Sequence, residues 1–91
     1  MPAETLRNEF TIENEFGLHA RPAALLVKCA SEFDCTVQVE KDGMSVSGKS
    51  IMGLLTLEGH QGSSVWIETS GPQAEEAMSA LRDLFERNFD E

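Results

Sequence analysis

No apolar run in this 91-residue sequence approaches the ~20 residues needed to span a bilayer. Its beginning, Met1-Pro2-Ala3-Glu4-Thr5, lacks the basic head and apolar stretch of a secretory leader, so a cytoplasmic protein is expected. Basic residues are scarce: 7 Lys and Arg stand against 16 Asp and Glu, for a formal net charge of -9. No stretch is locally basic, which makes nucleic acid and membrane poor partners. Any anion handled here has to be held by local geometry, because the overall field opposes it. Cysteine is limited to Cys29 and Cys35, and a C-x5-C pair without clustered histidines is not a zinc spacing. Two free, partly buried thiols is the plain reading, with a disulfide or metal pair as the alternative. Repeats, linkers and low-complexity segments are also missing, so residues 1–91 are read as one domain, a monomer with no cofactor or metal.

What is present is periodic. Leu6 to Glu13 places Phe10 and Ile12 on one face and Glu9, Thr11 and Glu13 on the other, a strand pattern. After the turn-like Asn14-Glu15-Phe16-Gly17, the apolar residues Ala23, Leu26, Val27, Ala30 and Phe33 recur at helical spacing over about four turns. Pro22 marks the start of that helix. Cys35 to Glu40 alternates again, Asp42-Gly43 supplies a hairpin turn, and Met44 to Gly48 returns. Ser50 opens a short helix running to about Leu57, and Ser64 to Thr69 is a fourth strand with Val65 and Ile67 inward and Trp66 outward. Gly71-Pro72 begins a last helix with the stripe Ala74, Ala77, Met78, Leu81, Leu84 and Phe85. The order β-α-β-β-α-β-α predicts an α+β fold, one mainly antiparallel sheet with helices on a single face.

The chemistry-bearing segment is Gly17-Leu18-His19-Ala20-Arg21-Pro22. His19 stands immediately before a helix, where backbone N–H groups lack internal acceptors and the macrodipole is positive. Arg21 offers a planar fork of donors to phosphate oxygens. Gly17 permits a sharp turn and leaves the imidazole approachable. The field that welcomes phosphate disfavours an imidazolium, which favours a neutral, nucleophilic ring. A bland role for His19, as a helix cap or gap filler, is outweighed by the adjoining Gly, Arg and Pro. His60 has no such company and reads as a solvated loop residue.

These residues resemble the HPr family, the histidine-containing phosphocarriers of the bacterial phosphotransferase system. Gly17 to Ala23 is similar to the family's active-site signature, and Lys49-Ser50-Ile51-Met52-Gly53-Leu54-Leu55 to its second signature. The resemblance implies an open-faced β-sandwich of four antiparallel strands with three helices on one side. It implies a carrier rather than an enzyme: enzyme I, charged by phosphoenolpyruvate, phosphorylates His19 on Nδ1, Arg21 steadies the group, and a histidine of an EIIA-type partner receives it. Ser50 is expected to cap its helix and, by resemblance, to be a regulatory target of an HPr kinase/phosphorylase. Ile51, Met52 and Leu55 are expected to stay exposed near His19 as a docking patch, with Leu54 and Leu57 in the core. Lys28 and Lys49 would add positive charge to that surface, although Ser31 replaces a further basic position often seen there. The tail from Ser70 to Asp90 is similar to nitrogen-branch relatives, whereas the Ser50 context resembles the sugar and catabolite-control branch. The rival readings are a regulatory docking module acting through the Ser50 helix with His19 silent, and a small-ligand or metal-binding α+β domain.

Overall fold

A computed structural model describes residues 5–90; the leader expectation rests mostly on residues 1–4, outside the described residues. Strands β1 (Thr5–Thr11), β2 (Thr36–Lys41), β3 (Met44–Ser47) and β4 (Ser64–Ser70) alternate with helices α1 (Ala20–Ser31), α2 (Ile51–Thr56) and α3 (Ala74–Glu86) in the expected order. The sheet runs β1-β4-β2-β3, and every neighbouring pair is antiparallel. Period-2 patterning decides which face meets the helices. Val37, Val39, Val65, Ile67 and Thr69 are buried, while Thr36, Gln38, Ser64 and Trp66 point to solvent. The core closes between that inner face and Ala23, Leu26, Ala30, Leu54, Leu57, Ala77, Met78, Leu81, Leu84 and Phe85 from the three helices and the residue after α2.

The β2–β3 hairpin turns through Asp42 and Gly43, both at positive φ (51° and 83°), as two-residue hairpins require. On the solvent face, Arg7 stacks 4.7 Å from the Trp66 ring centroid and reaches Glu40 at 3.0 Å. Thr69, fully buried, donates its hydroxyl to the Ala74 carbonyl at 2.8 Å and so ties β4 to α3.

Three boundaries differ from the sequence reading, each for a local reason. Helix α1 starts directly after His19 with Pro22 in its first turn, as read, but ends at Ser31; Glu32 caps it with its N–H on Ala30 and Cys29 carbonyls, leaving Phe33 beyond the helix. Helix α3 starts at Ala74 because Gly71 lies at φ 132° and the Gln73 N–H bonds back to Asp34, forming a turn before the first helical residue. Strand β1 stops at Thr11, although Ile12 is fully buried and still exchanges backbone bonds with Ser63 and Gly62. A further element was not anticipated. Asn88, Phe89 and Asp90 form a left-handed turn at φ 52°, 55° and 59°. The left-handed region costs an ordinary residue about 1–2 kcal/mol. Burial of the Phe89 ring against Phe85, 4.8 Å between centroids, offsets that at Phe89 by about 2 kcal/mol or more.

Both cysteines are free, Cys29 half-buried and Cys35 buried. Burial is the largest cause pushing each thiol above its ordinary range; Glu32 adds to it at Cys29, while Lys49 partly opposes it at Cys35. The sign follows directly: a thiol held protonated by the fold contributes stability below its unfolded pKa and loses it as pH climbs through the folded value. Alkylation by iodoacetamide at pH 8 is therefore expected to be at least tenfold slower in the folded than in the urea-unfolded protein. Equal rates measured by mass spectrometry would contradict this placement.

Candidate phosphoryl-transfer site

The loop between β1 and α1 is fastened at each residue that matters. Asn14, buried, donates its side-chain amide to the Gly17 carbonyl at 2.7 Å, and the Gly17 N–H returns to the Asn14 carbonyl at 3.1 Å. Gly17 lies at φ 63°, and a Cβ there would stand 2.0 Å from the Gly59 carbonyl oxygen. The next amide, Leu18 N–H, donates to that same oxygen at 2.7 Å. Only glycine fits between these two strands of backbone. The loop carrying His19 is thus locked onto the loop between α2 and β4.

His19 is the N-cap of α1 with extended backbone (φ -79°, ψ -172°), and its carbonyl accepts the Ala23 N–H at 3.0 Å. Its side chain makes no capping hydrogen bond, so the capping role is carried by backbone alone. The ring is half-buried, with the exposed Phe16 ring edge-on at 6.0 Å between centroids and 88° between planes. Ala20 and Arg21 follow as the first two helical residues. Helix geometry gives their N–H groups no acceptor within α1, and Pro22, third, has no N–H at all. An accessible imidazole beside two first-turn amides and the exposed Arg21 is an arrangement for binding an anionic tetrahedral group at the ring.

The second segment lands as follows. Ser50 is the N-cap of α2, its hydroxyl accepting the Gly53 N–H at 3.0 Å. Ile51 (40% exposed) and Met52 (72%) present apolar surface, and Leu54 and Leu57 are buried. Leu55 departs from expectation: it is half-buried, packed against the core rather than projecting from the patch. Lys28 is exposed in the last turn of α1, about 13 Å along the helix from His19 by helical rise. Lys49 is exposed, and its ammonium donates to the Cys35 carbonyl at 2.7 Å and the Phe33 carbonyl at 3.3 Å. It ties the chain before α2 to the connection between α1 and β2.

Four residues at the site were not singled out from the sequence: Asn14, Phe16, Glu58 and Gly59. The available signals were an apolar Phe16 in an otherwise polar turn and a glycine in each of the two loops. His60, read as solvated, is indeed exposed, yet it lines one shallow cleft with Phe16, His19 and Glu58. Among the described residues no group of three His, Cys, Asp or Glu side chains forms a metal-ligating cluster, and no helix is long and apolar enough to cross a membrane.

Comparison with known proteins agrees with this geometry. A family model described as "PTS HPr component phosphorylation site" matches residues 6–87. The phosphocarrier protein HPr of Cupriavidus necator is 43% identical over 86 residues, covering 94% of this chain and 97% of its own. The phosphocarrier protein NPr of Escherichia coli is 38% identical over 88 residues, covering 96% and 98%. Among solved structures, HPr from Thermoanaerobacter tengcongensis superimposes with a TM-score of 0.91 at 46% identity, over 94% of this chain and 97% of that one. By near full-length sequence match and shared fold, the chain belongs to the HPr family of phosphocarrier proteins of the phosphotransferase system.

Proposed function

We propose that this protein acts in the cytoplasm as a single-domain phosphoryl carrier. It takes the group from enzyme I, charged by phosphoenolpyruvate, onto Nδ1 of His19 and delivers it to a histidine of an EIIA-type protein. The observation that carries the reading is the half-exposed His19 ring at the N-cap of α1, followed by the first-turn amides of Ala20 and Arg21, which have no acceptor within the helix. In the first transfer the donor's P–N bond breaks as the His19 Nδ1 lone pair forms a new one; the second transfer reverses the roles. Charge builds on the three phosphoryl oxygens in between, where oriented N–H donors and the Arg21 fork act on it. Because the group has to leave again, the site gains by stabilising the transfer state more than the phosphorylated resting state.

The direct test is incubation with enzyme I and labelled phosphoenolpyruvate, then acid and base treatment. Stoichiometric label, lost in acid and retained in base, is expected; label that survives acid, or none, rejects the reading.

Docking falls to the exposed Ile51 and Met52 on α2 and the neighbouring rim of α1, with Leu55 and Lys28 at its margin. Lys49, exposed just before α2, adds charge beside that surface while its ammonium bonds the Phe33 and Cys35 carbonyls. Ser50 is a second modification site in this reading, a substrate for an ATP-dependent HPr kinase/phosphorylase. A phosphate on its oxygen replaces a neutral cap with about -2 of charge beside the docking patch, slowing acceptance from enzyme I by tenfold or more. Phosphosite mapping after treatment with such a kinase and ATP should return Ser50 alone; label elsewhere, or none, refutes this role.

A further inference from the structure

The loop that locks the His19 turn in place also delivers a second imidazole to it. A Cβ on Gly17 would fall 2.9 Å from the His60 Cα, so the His60 backbone lies directly against the turn that carries His19. The His60 carbonyl is held by the Ser63 N–H at 3.1 Å and the Ser63 hydroxyl at 2.6 Å. Its backbone is therefore fixed while its ring is exposed in the cleft with Phe16, His19 and Glu58. The ring's one polar contact among the described residues is Nδ1 at 3.4 Å from the Glu58 carbonyl, long enough to be exchanged readily for a better partner.

We infer that His60 is a second histidine of the phosphoryl site, turning a ring N–H onto an oxygen of the phosphoryl group carried by His19. The inference rests on the carrier reading above. Charge supports it. Arg7, Lys41 and Arg87 are engaged with carboxylates and Lys49 with carbonyls. Lys28 lies at the far end of α1, and Arg82 on α3 lines a different cleft with Asn8 and Glu75, which leaves Arg21 as the fixed cation at the helix start. Against it stand the net charge of -9 and the Glu58 carboxyl group in the same cleft. A phosphoryl group on His19 thus meets a nearby negative neighbour, and His60 is the side chain placed to offset it. A ring on a fixed backbone, free to turn, steadies the group without trapping it.

The test uses phosphoramidate, a small P–N donor that charges histidine without enzyme I, on the wild type and on His60→Ala and His60→Gln. The decay of phospho-His19 is followed by 31P NMR, and the His60 ring by 1H–13C correlation. His60 ring resonances are expected to move when His19 is charged. Phospho-His19 should decay roughly three- to tenfold faster in His60→Ala, as loss of one hydrogen bond implies. His60→Gln, which keeps an N–H donor, should recover most of the lifetime, which a purely structural role would not produce. Unmoved His60 resonances, or a His60→Ala decay within about 1.5-fold of wild type, overturn the inference while leaving the carrier reading intact. Wild-type protein that forms no phosphohistidine overturns both.

Discussion

His19→Ala is expected to reduce label uptake from enzyme I to background while leaving the fold nearly untouched. The two halves of that expectation have separate physical origins. Uptake disappears because no other side chain at the start of α1 is a nucleophile; Ala20 and Pro22 carry no heteroatom and the Arg21 guanidinium is a donor without an acceptor lone pair. The fold persists because the core lies between the sheet and the three helices and does not include the His19 ring, whose edge contact with Phe16 is worth about 0.5–1.5 kcal/mol. For a domain of this size that is a drop of about 10 °C or less in melting temperature. The same variant separates a carrier from a docking module. A module acting only through Ile51 and Met52 would keep both its partner and its activity, whereas a carrier would keep the partner and lose the transfer. Residual uptake above a tenth of wild type, by an acid-labile bond, would move the chemistry to another histidine.

Gly17→Ala is expected to give the largest loss of stability of any single methyl addition at the site. Its Cβ would press on backbone, 2.0 Å from the Gly59 oxygen and 2.9 Å from the His60 Cα, and neither is the movable end of a side chain. At φ 63° the new residue also takes on the left-handed penalty of about 1–2 kcal/mol. Relief requires parting the two loops, which gives up the Leu18–Gly59 bond and strains the Asn14–Gly17 bond at about 1 kcal/mol each. The total is about 3–4 kcal/mol, or roughly 12–30 °C in melting temperature. Phosphoryl transfer should fall further than stability alone dictates, by about a hundredfold under conditions where the variant is folded. A displacement near 1 Å of the ring from the first-turn amides is enough for that. Urea titration and a transfer assay at matched folded fraction would check both numbers; a variant that melts within 3 °C of wild type would show that the loops are not in fact locked.

How much of this could be read beforehand depends on the range of the interaction. Alternation in Thr36–Lys41 and Ser64–Ser70 and the apolar stripe of α3 are local signals, and they placed strands and helices to within a few residues. His19 and Ser50 were legible for the same reason: an N-cap is defined by its immediate neighbours. The order of strands was not, since β4 enters between β1 and β2 by contacts far apart in the chain. The carbonyl bonds of Lys49 were not legible for a similar reason. The residue is exposed, and the carbonyls it meets come from residues 14 and 16 positions earlier. The pairing of the Gly17 and Gly59 loops, and with it the position of His60, belongs to this long-range class. In the left-handed turn at Asn88–Asp90, Asn88 and Asp90 tolerate that conformation while Phe89 does not, and the burial of its ring in the core accounts for it.

The stacked Arg7–Trp66 pair has a practical corollary. Trp66 is the sole indole in the chain, and it sits mid-strand on the sheet surface that the helices leave bare. Its emission is consequently a built-in gauge of whether the sheet is intact, largely deaf to events at the helix tip on the other side. A fluorescence change on adding a partner would signal contact with the bare surface or loss of structure, and phosphohistidine turnover has to be watched by another probe.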